Sequence, residues 1–370
     1  MDILTACDPR EQSTGCACLI CSIEESHSSF WPNPARNSDF LFQSDNLGLE
    51  LIYRGISLSS TRVSVIIPYF RRGEIFERGL DTVLSQDYEN KEIIVVDNHS
   101  EDNMKERILA RQAGIKFIEM PENQGACAAR NAGVRAASGN ILVILDDDAG
   151  FLSSLELGKL VRLFDSRPDV HVVAFQVCDP ATGELCLRDW CHPRYWKEFS
   201  QTEFETDHFG EGASAFRREV FEKTGGYYEP LFYGAEGLDM ELRVMDQGFK
   251  ILYTPDVRVW HGVSGKSRTN DRQYFYFTRN YIWMAYKDYP LWAGARFLSF
   301  KLAMMLYLTI RVGCYQSFLR GLWDGVRGLP RIGQDRKPIS RDTMKRWLNL
   351  EKGRPGLLTR IARHRARPQL

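Results

Sequence analysis

Three carboxylates stand side by side at Asp146, Asp147 and Asp148, directly after the apolar run 141–145. Adjacent carboxylates repel, and burial sharpens the repulsion unless a positive partner is present. A hard divalent cation such as Mg²⁺ or Mn²⁺ suits that position, because it takes carboxylate oxygens and often leaves room for substrate phosphates. In extended backbone, alternate side chains share a face, so Asp146 and Asp148 are expected on one side and Asp147 on the other. One of the pair can hold a metal while the other touches a substrate; a solvated acidic turn is the plainer use of the same residues. Asp97, with Asn98 beside it, closes the apolar run 93–96 and can accept hydrogen bonds from a base edge or a ribose hydroxyl. Ser100 and Asp102 just beyond suit helix capping. Arg130 is the single cation in the small-residue run 123–133. Arginine there fits phosphate or carbonyl recognition, or simple surface exposure.

Such residues need a frame that gathers strand ends. Apolar runs at 63–67, 93–96, 115–118 and 141–145 have the character of strands buried on both faces. Between them, 75–85, 104–113 and 125–137 have helical character. Strands alternating with helices of this length predict β-α-β units and a mostly parallel sheet flanked by helices. Ligands bind beyond the carboxyl ends of such strands, and that edge would carry Pro68 and Tyr69, Asp97 and Asn98, and Asp146 to Asp148. Further strands are expected at 172–175 and 251–253, and helices at 157–164, 219–223 and 239–246. Beyond 265 the chain is mainly helical, aromatic and Arg-rich. Three regions follow: a polar, Cys-containing and partly disordered extension over 1–60, an α/β domain over 61–265, and a basic helical region over 266–370.

The motifs of 63–148, taken in order, resemble the nucleotide-sugar half of an inverting family-2 glycosyltransferase of the GT-A fold. They are Val63-Ser-Val-Ile-Ile-Pro68, Leu84-Ser-Gln-Asp-Tyr88, Ile94-Val-Val-Asp97-Asn-His-Ser-Glu-Asp102, Asn123-x-Gly125-x-x-x-x-Arg130-Asn131-x-Gly133, and Gly139 through Asp148. The resemblance implies a metal at Asp148, a sugar or ribose contact at Asp146 with Asp147 beside it, a nucleoside contact at Asp97, and Pro68 at the start of a loop over the base. Arg130 would lie near the nucleotide. The segment 212–243 is similar to the acceptor side of the family, where an acidic pair is usual and its second member is commonly the catalytic base. Here the pair reads Glu236-Gly237, so Glu236 is the expected base, with Asp239 behind it. Asp239 also suits a salt bridge to Arg243 at i+4. His261, after the last expected strand, matches an additional metal or diphosphate ligand, and imidazole favours Mn²⁺ over Mg²⁺. The implied activity is metal-dependent, inverting transfer of a sugar from a UDP-, dTDP- or GDP-sugar to a polysaccharide or lipid-linked glycan. The helical half resembles bacterial rhamnosyltransferase-like members, which makes a deoxysugar the first donor to try.

Composition sets the remaining bounds. The 370 residues are 44% hydrophobic and 26% charged, with no net charge, an ordinary globular profile. The first twenty residues have neither a basic n-region nor a long apolar h-region, so a secretory signal is not expected. Nine cysteines then fit free thiols in a cytoplasmic protein. Cys7, Cys16, Cys18 and Cys21, with His27 nearby, lack the spacing of a paired zinc knuckle. The late apolar run 302–310 falls short of the roughly 20 residues of a membrane span. Residues 331–370 carry 12 Lys and Arg against 3 Asp and Glu, which suggests peripheral contact with anionic lipid at the cytoplasmic face of a membrane. No nucleic-acid motif accompanies that charge. Two other functions stay open: a catalytically impaired nucleotide-sugar binder, which Gly237 favours, and a zinc-containing interaction protein.

Overall fold

The element order follows the alternation of apolar runs. A computed structural model describes residues 61–111, 114–262 and 270–353. The N-terminal cysteine cluster and residues 354–370 of the basic region lie outside the described residues. The first half comprises β1 (Val63–Tyr69), α1 (Glu74–Leu84), β2 (Lys91–Asp97), α2 (Met104–Arg111), β3 (Lys116–Glu119), α3 (Gly125–Ala136) and β4 (Ile141–Leu145). Next come β5 (Ala149–Phe151), α4 (Glu156–Ser166), β6 (Val172–Cys178), α5 (Trp196–Phe199), β7 (Phe204–Thr206), β8 (Ala213–Arg217), α6 (Arg218–Thr224), α7 (Glu236–Asp246) and β9 (Ile251–His261). The last described helices are α8 (Asn270–Lys287), α9 (Leu291–Arg311), α10 (Tyr315–Ile332) and α11 (Arg341–Glu351).

The strands form one sheet in the order β3-β2-β1-β4-β8-β6-β9-β5, with β7 also paired to β9. Pairing is parallel from β3 through β4 and again between β6 and β9. It is antiparallel where β8 enters between β4 and β6, and where β5 and β7 join β9. The expected α/β sheet is therefore present, parallel over its first four strands and mixed beyond them. The short strands β5, β7 and β8 carry no long apolar run, which is why periodicity alone passes over them. Pro255 lies inside β9, where the register against β6 shifts between Phe175 and Gln176; a residue without an amide donor fits that irregularity.

Alternation along the central strands feeds two cores. Val65, Val95 and Val143 face one with Phe76, Leu80 and Leu160. Ile66, Ile94 and Ile144 face the other with Cys127, Ala129 and Met240. Small residues bring α3 close to the sheet: a Cβ on Gly133 would lie 2.3 Å from Ile66 Cγ2. A third core, including Leu242, Met284, Tyr289, Met305 and Phe318, joins α7 to the C-terminal helices. Along α8, the Asn280 amide donates to the carbonyls of Leu231, Tyr233 and Gly234. Arg279 donates to Leu231 O at 2.7 Å. The C-terminal helices thus brace the loop that leads into α7.

Candidate functional site

A cleft of about 350 Å³ opens at the carboxyl edge of the parallel strands. Pro68 and Tyr69 from the end of β1, Asn98 after β2, and Asp146 and Asp147 after β4 line it. The antiparallel entry of β8 brings the start of that strand, Glu211 to Ala213, to the same edge, because Ala213 pairs with Leu145. The far end of β9 contributes His261, and the N-terminus of α7 contributes Glu236.

The aspartate triplet is a turn rather than extended strand: the Ala149 amide donates to the Asp146 carbonyl at 3.0 Å. Asp147 Oδ2 accepts the Phe70 amide and its Oδ1 accepts Arg72 Nε, each at 2.8 Å. It thereby anchors the loop after β1. Burial pushes the Asp147 carboxyl up to about 7, against the pull of Arg72. Asp148 is fully buried. Its carboxylate lies 3.2 Å from Arg72 on one side and 3.2 Å from His261 Nε2 on the other. The other imidazole nitrogen, Nδ1, is 3.2 Å from Asp189 Oδ2. Burial alone would favour a neutral ring, but Asp148 and Asp189 outweigh it and raise His261 to about 10.

One ligand atom each from Asp146, Asp148 and His261 lie within 4.8 Å of one another. An octahedral ion with bonds of about 2.1 Å separates neighbouring ligands by about 3 Å and opposite ones by about 4.2 Å. Two carboxylates and one imidazole form a set that suits Mn²⁺, and Asp189 is the carboxylate that orients the histidine from behind.

Arg130 lines the cleft and is largely buried. It donates from Nη2 to Asp146 Oδ1 at 2.8 Å and from Nη1 to Glu236 Oε1 at 3.1 Å. Burial would lower its pKa, but the charges of Asp146 and Glu236 hold it well above the usual arginine value. Arg130 thus clamps two acidic residues that the sequence sets 90 positions apart. Beside them, Glu211 Oε1 accepts the Gly237 amide at 3.1 Å. Burial first, and the charge of Glu236 next, push the Glu211 carboxyl up to about 7. Gly212 has no room for a side chain, since a Cβ there would lie 2.1 Å from Asp146 Cγ.

Eight of the eleven expected site residues line this cleft; Asp148 lies buried just behind the lining, against Arg72 and His261, and two others do not reach it. Asp97 lies outside the lining, and its Oδ1 accepts the Ser100 amide at 3.0 Å to close the turn after β2. Burial raises its pKa. Asn98, next in sequence, lines the cleft instead and accepts the Gln124 amide at 3.0 Å. Asp239 is the second exception. It is fully buried, bound to Arg243 and 2.7 Å from Lys287 Nζ, away from the cleft. Burial alone would raise its pKa, but those two cations hold it well below the ordinary carboxylate range. The i+4 salt bridge expected from the sequence is present, and no oxygen of Asp239 reaches the cleft lining. Tyr69 turns its hydroxyl to Asp102 Oδ2 at 2.6 Å. Asp102 Oδ1 also accepts the Met104 amide at 3.0 Å, as a cap for α2.

Arg72, Asp189 and Glu211 were not anticipated. Arg72 follows β1 directly, so a cation one loop beyond an expected strand end was its available signal. Asp189 and Glu211 sit in the segment between β6 and β8, where no periodic pattern marks an approach to the sheet edge.

Residues 64–225 match the family model described as glycosyl transferase family 2. The chain is 24% identical over 256 residues to the O-antigen biosynthesis protein RfbC of Myxococcus xanthus, covering 64% of this chain and 20% of that protein. It is 29% identical over 182 residues to a GalNAc(5)-diNAcBac-PP-undecaprenol beta-1,3-glucosyltransferase of Campylobacter jejuni, covering 47% and 57%. The chain spans less than two thirds of the length of these curated relatives. Among solved structures, S. aureus TarS 1–349 superposes with a TM-score of 0.51 at 15% identity, covering 74% of this chain and 83% of that one. That likeness extends to the fold.

Proposed function

We propose that this chain, whose residues 64–225 match the glycosyl transferase family 2 model, transfers a sugar, with inversion, from a nucleotide-diphosphate donor to a hydroxyl of a polysaccharide or lipid-linked glycan. The observation that supports this best is the convergence of ligand atoms from Asp146, Asp148 and His261, with Asp146 and His261 lining the cleft and Asp148 buried directly beneath it. Asp148 and His261 would hold a Mn²⁺ or Mg²⁺ ion, with Asp189 orienting the imidazole from behind, and such an ion would supply positive charge against the diphosphate of the leaving nucleotide. Asp146 faces the sugar or ribose, fixed by Arg130. Arg72, beside Asp147 and Asp148, meets diphosphate oxygens, a task that the planar guanidinium performs well. Pro68 and Asn98 flank the nucleoside. A carboxylate of the neighbouring Glu211 and Glu236 takes the acceptor proton. The relatives named for O-antigen synthesis and for an undecaprenol-linked glycan favour a glycan acceptor of that class.

A panel of UDP-, dTDP- and GDP-sugars, with and without Mn²⁺, tests the reading through thermal shift and nucleoside diphosphate release. Metal-dependent stabilisation together with release is the expected result. Release that persists in a chelator counts against the metal site. Binding without release would leave an impaired nucleotide-sugar binder.

An anionic membrane surface at the cytoplasmic face is the second partner in this reading. Of the fifteen exposed large apolar side chains among the described residues, eleven lie on α9, α10 or the turn between them. Trp292, Tyr307, Ile310, Leu319, Trp323 and Val326 belong to this face, and exposed Arg296, Arg311, Arg320 and Arg327 are interleaved with it. Aromatic residues and arginines on one amphipathic surface suit the headgroup layer. The apolar run in the sequence is nine residues, but α9 extends to 21, long and apolar enough to cross a bilayer by length and composition, with 22% of its most apolar window buried. We favour a helix lying on the membrane, because Arg296 and Lys301 interrupt it and Met305 and Thr309 are buried in the protein.

A further inference from the structure

A Cβ built on Gly237 would lie 2.3 Å from Glu211 Cγ, 2.4 Å from Oε1 and 2.6 Å from Cδ. The Glu211 side chain therefore fills the volume that a side chain at position 237 would need. Its Oε1 is anchored by the Gly237 amide, one of the first-turn amides that a helix leaves without an internal acceptor. The neighbouring carboxylates are engaged by cations: Glu236 and Asp146 by Arg130, and Glu241 by His208 at 2.6 Å. Glu211 is instead anchored by a backbone amide and borders the cleft.

We propose that Glu211 is the general base of this enzyme, a carboxylate supplied from the start of β8 to the N-terminus of α7, with Glu236 and Arg130 as positioning residues. The proposal rests on the glycosyl-transfer reading above. The acceptor hydroxyl gives its proton to a Glu211 oxygen as the hydroxyl oxygen bonds to the anomeric carbon. The bond from that carbon to the diphosphate oxygen breaks on the opposite face, and its electron pair leaves with the nucleoside diphosphate. The proton passes to solvent after product departs. The groups that face Glu211 are Glu236, His208, Glu241 and Arg130. Burial and the two glutamates raise its proton affinity, His208 and Arg130 reduce it, and the balance stands at about 7. A base poised there is efficient at neutral pH.

The test uses the full chain with Mn²⁺ and measures nucleoside diphosphate release from UDP-glucose, UDP-GlcNAc, GDP-mannose and a dTDP-deoxysugar, with UDP affinity in parallel. Glu211→Gln should lower kcat by about 10²–10⁴-fold and leave UDP affinity within about threefold of native. In the native protein kcat should rise with pH through about 7 and then level off. Glu211→Ala with Gly237→Asp removes the obstructing side chain and returns a carboxylate to the same volume. That pair should recover at least about tenfold over Glu211→Ala alone, with the acid limb at lower pH. Glu211→Gln turnover within about threefold of native overturns the assignment. So does loss of UDP affinity without recovery in the double variant, which makes Glu211 structural. If the native chain releases nucleoside diphosphate from none of the four donors, the underlying reading fails rather than this assignment alone.

Discussion

Asp239→Asn is expected to lower stability by about 3 kcal/mol while leaving kcat per folded molecule within about twofold. Asp239 is fully buried, with one oxygen 2.7 Å from Lys287 Nζ and the other bound to Arg243. Lys287 is itself buried, and Arg243 is further tied to the carbonyls of Thr224 and Gly226 at 2.8 and 2.7 Å. Asparagine preserves the shape but leaves two cations facing each other without the charge between them. Removing one partner of a buried pair costs about 3–5 kcal/mol. The lower end applies because Asp288 also contacts Lys287; burial and the charge of Asp239 raise its pKa, so it ionises more readily once Asp239 is neutral. At roughly 2–3 °C per kcal/mol for a domain of this size, Tm should fall by about 6–9 °C. Urea melts with unchanged slope and a lower midpoint would isolate the stability term, with kcat measured well below both transitions.

The pH dependence has a fixed sign. The folded-state pKa of Asp239 is depressed, so its stabilisation is present above the unfolded value of about 3.9 and is lost as pH falls toward the folded one. The deficit of the variant should therefore be full at pH 7 and shrink in acid. A variant within about 0.5 kcal/mol of native stability whose kcat falls a hundredfold would refute this reasoning and return Asp239 to the chemistry.

Three further outcomes follow from the site and the helical face. Asp148→Asn should abolish the Mn²⁺-dependent part of nucleotide binding, measured by calorimetry; equal Mn²⁺ enhancement in the variant would move the ion elsewhere. Asp189→Asn, which removes the carboxylate behind His261, should weaken Mn²⁺ affinity by about 10–100-fold, read by titration in the absence of nucleotide. Ile310→Ser with Trp323→Ser, both on exposed positions of the apolar face, should reduce sedimentation with anionic liposomes without changing Tm by more than about 2 °C; unchanged sedimentation would remove the membrane assignment.

Local signals predicted the parallel part of the sheet because each of β1, β2 and β4 is an apolar run ending in polar residues. The alternation of small and apolar residues in α3 likewise marks a helix packed against the sheet. The pairing of β8 left no such trace. Ala213–Arg217 is five residues of mixed character, and its place between β4 and β6 depends on long-range pairing. Glu211 and Asp189 came to the cleft through that pairing and through the loop that precedes it. Asp97 and Asn98 differ in another way: both stand at a strand end, and backbone geometry alone decides that Asn98 faces the cleft while Asp97 turns back to cap Ser100.

What the amino-acid order determined by itself was the α/β frame, the edge where ligands gather, and an aspartate triplet that calls for a cation, since these follow from periodicity and from repulsion between neighbouring charges. Only the tertiary structure decided which acidic residues share a site. Arg130 joins Asp146 to Glu236, Lys287 and Arg243 hold Asp239 in the core, and Glu211 occupies the space beside Gly237. Each of these depends on burial and on partners distant in sequence. Burial and partners, rather than residue type, set whether a carboxylate is a structural anion, a metal ligand or a base.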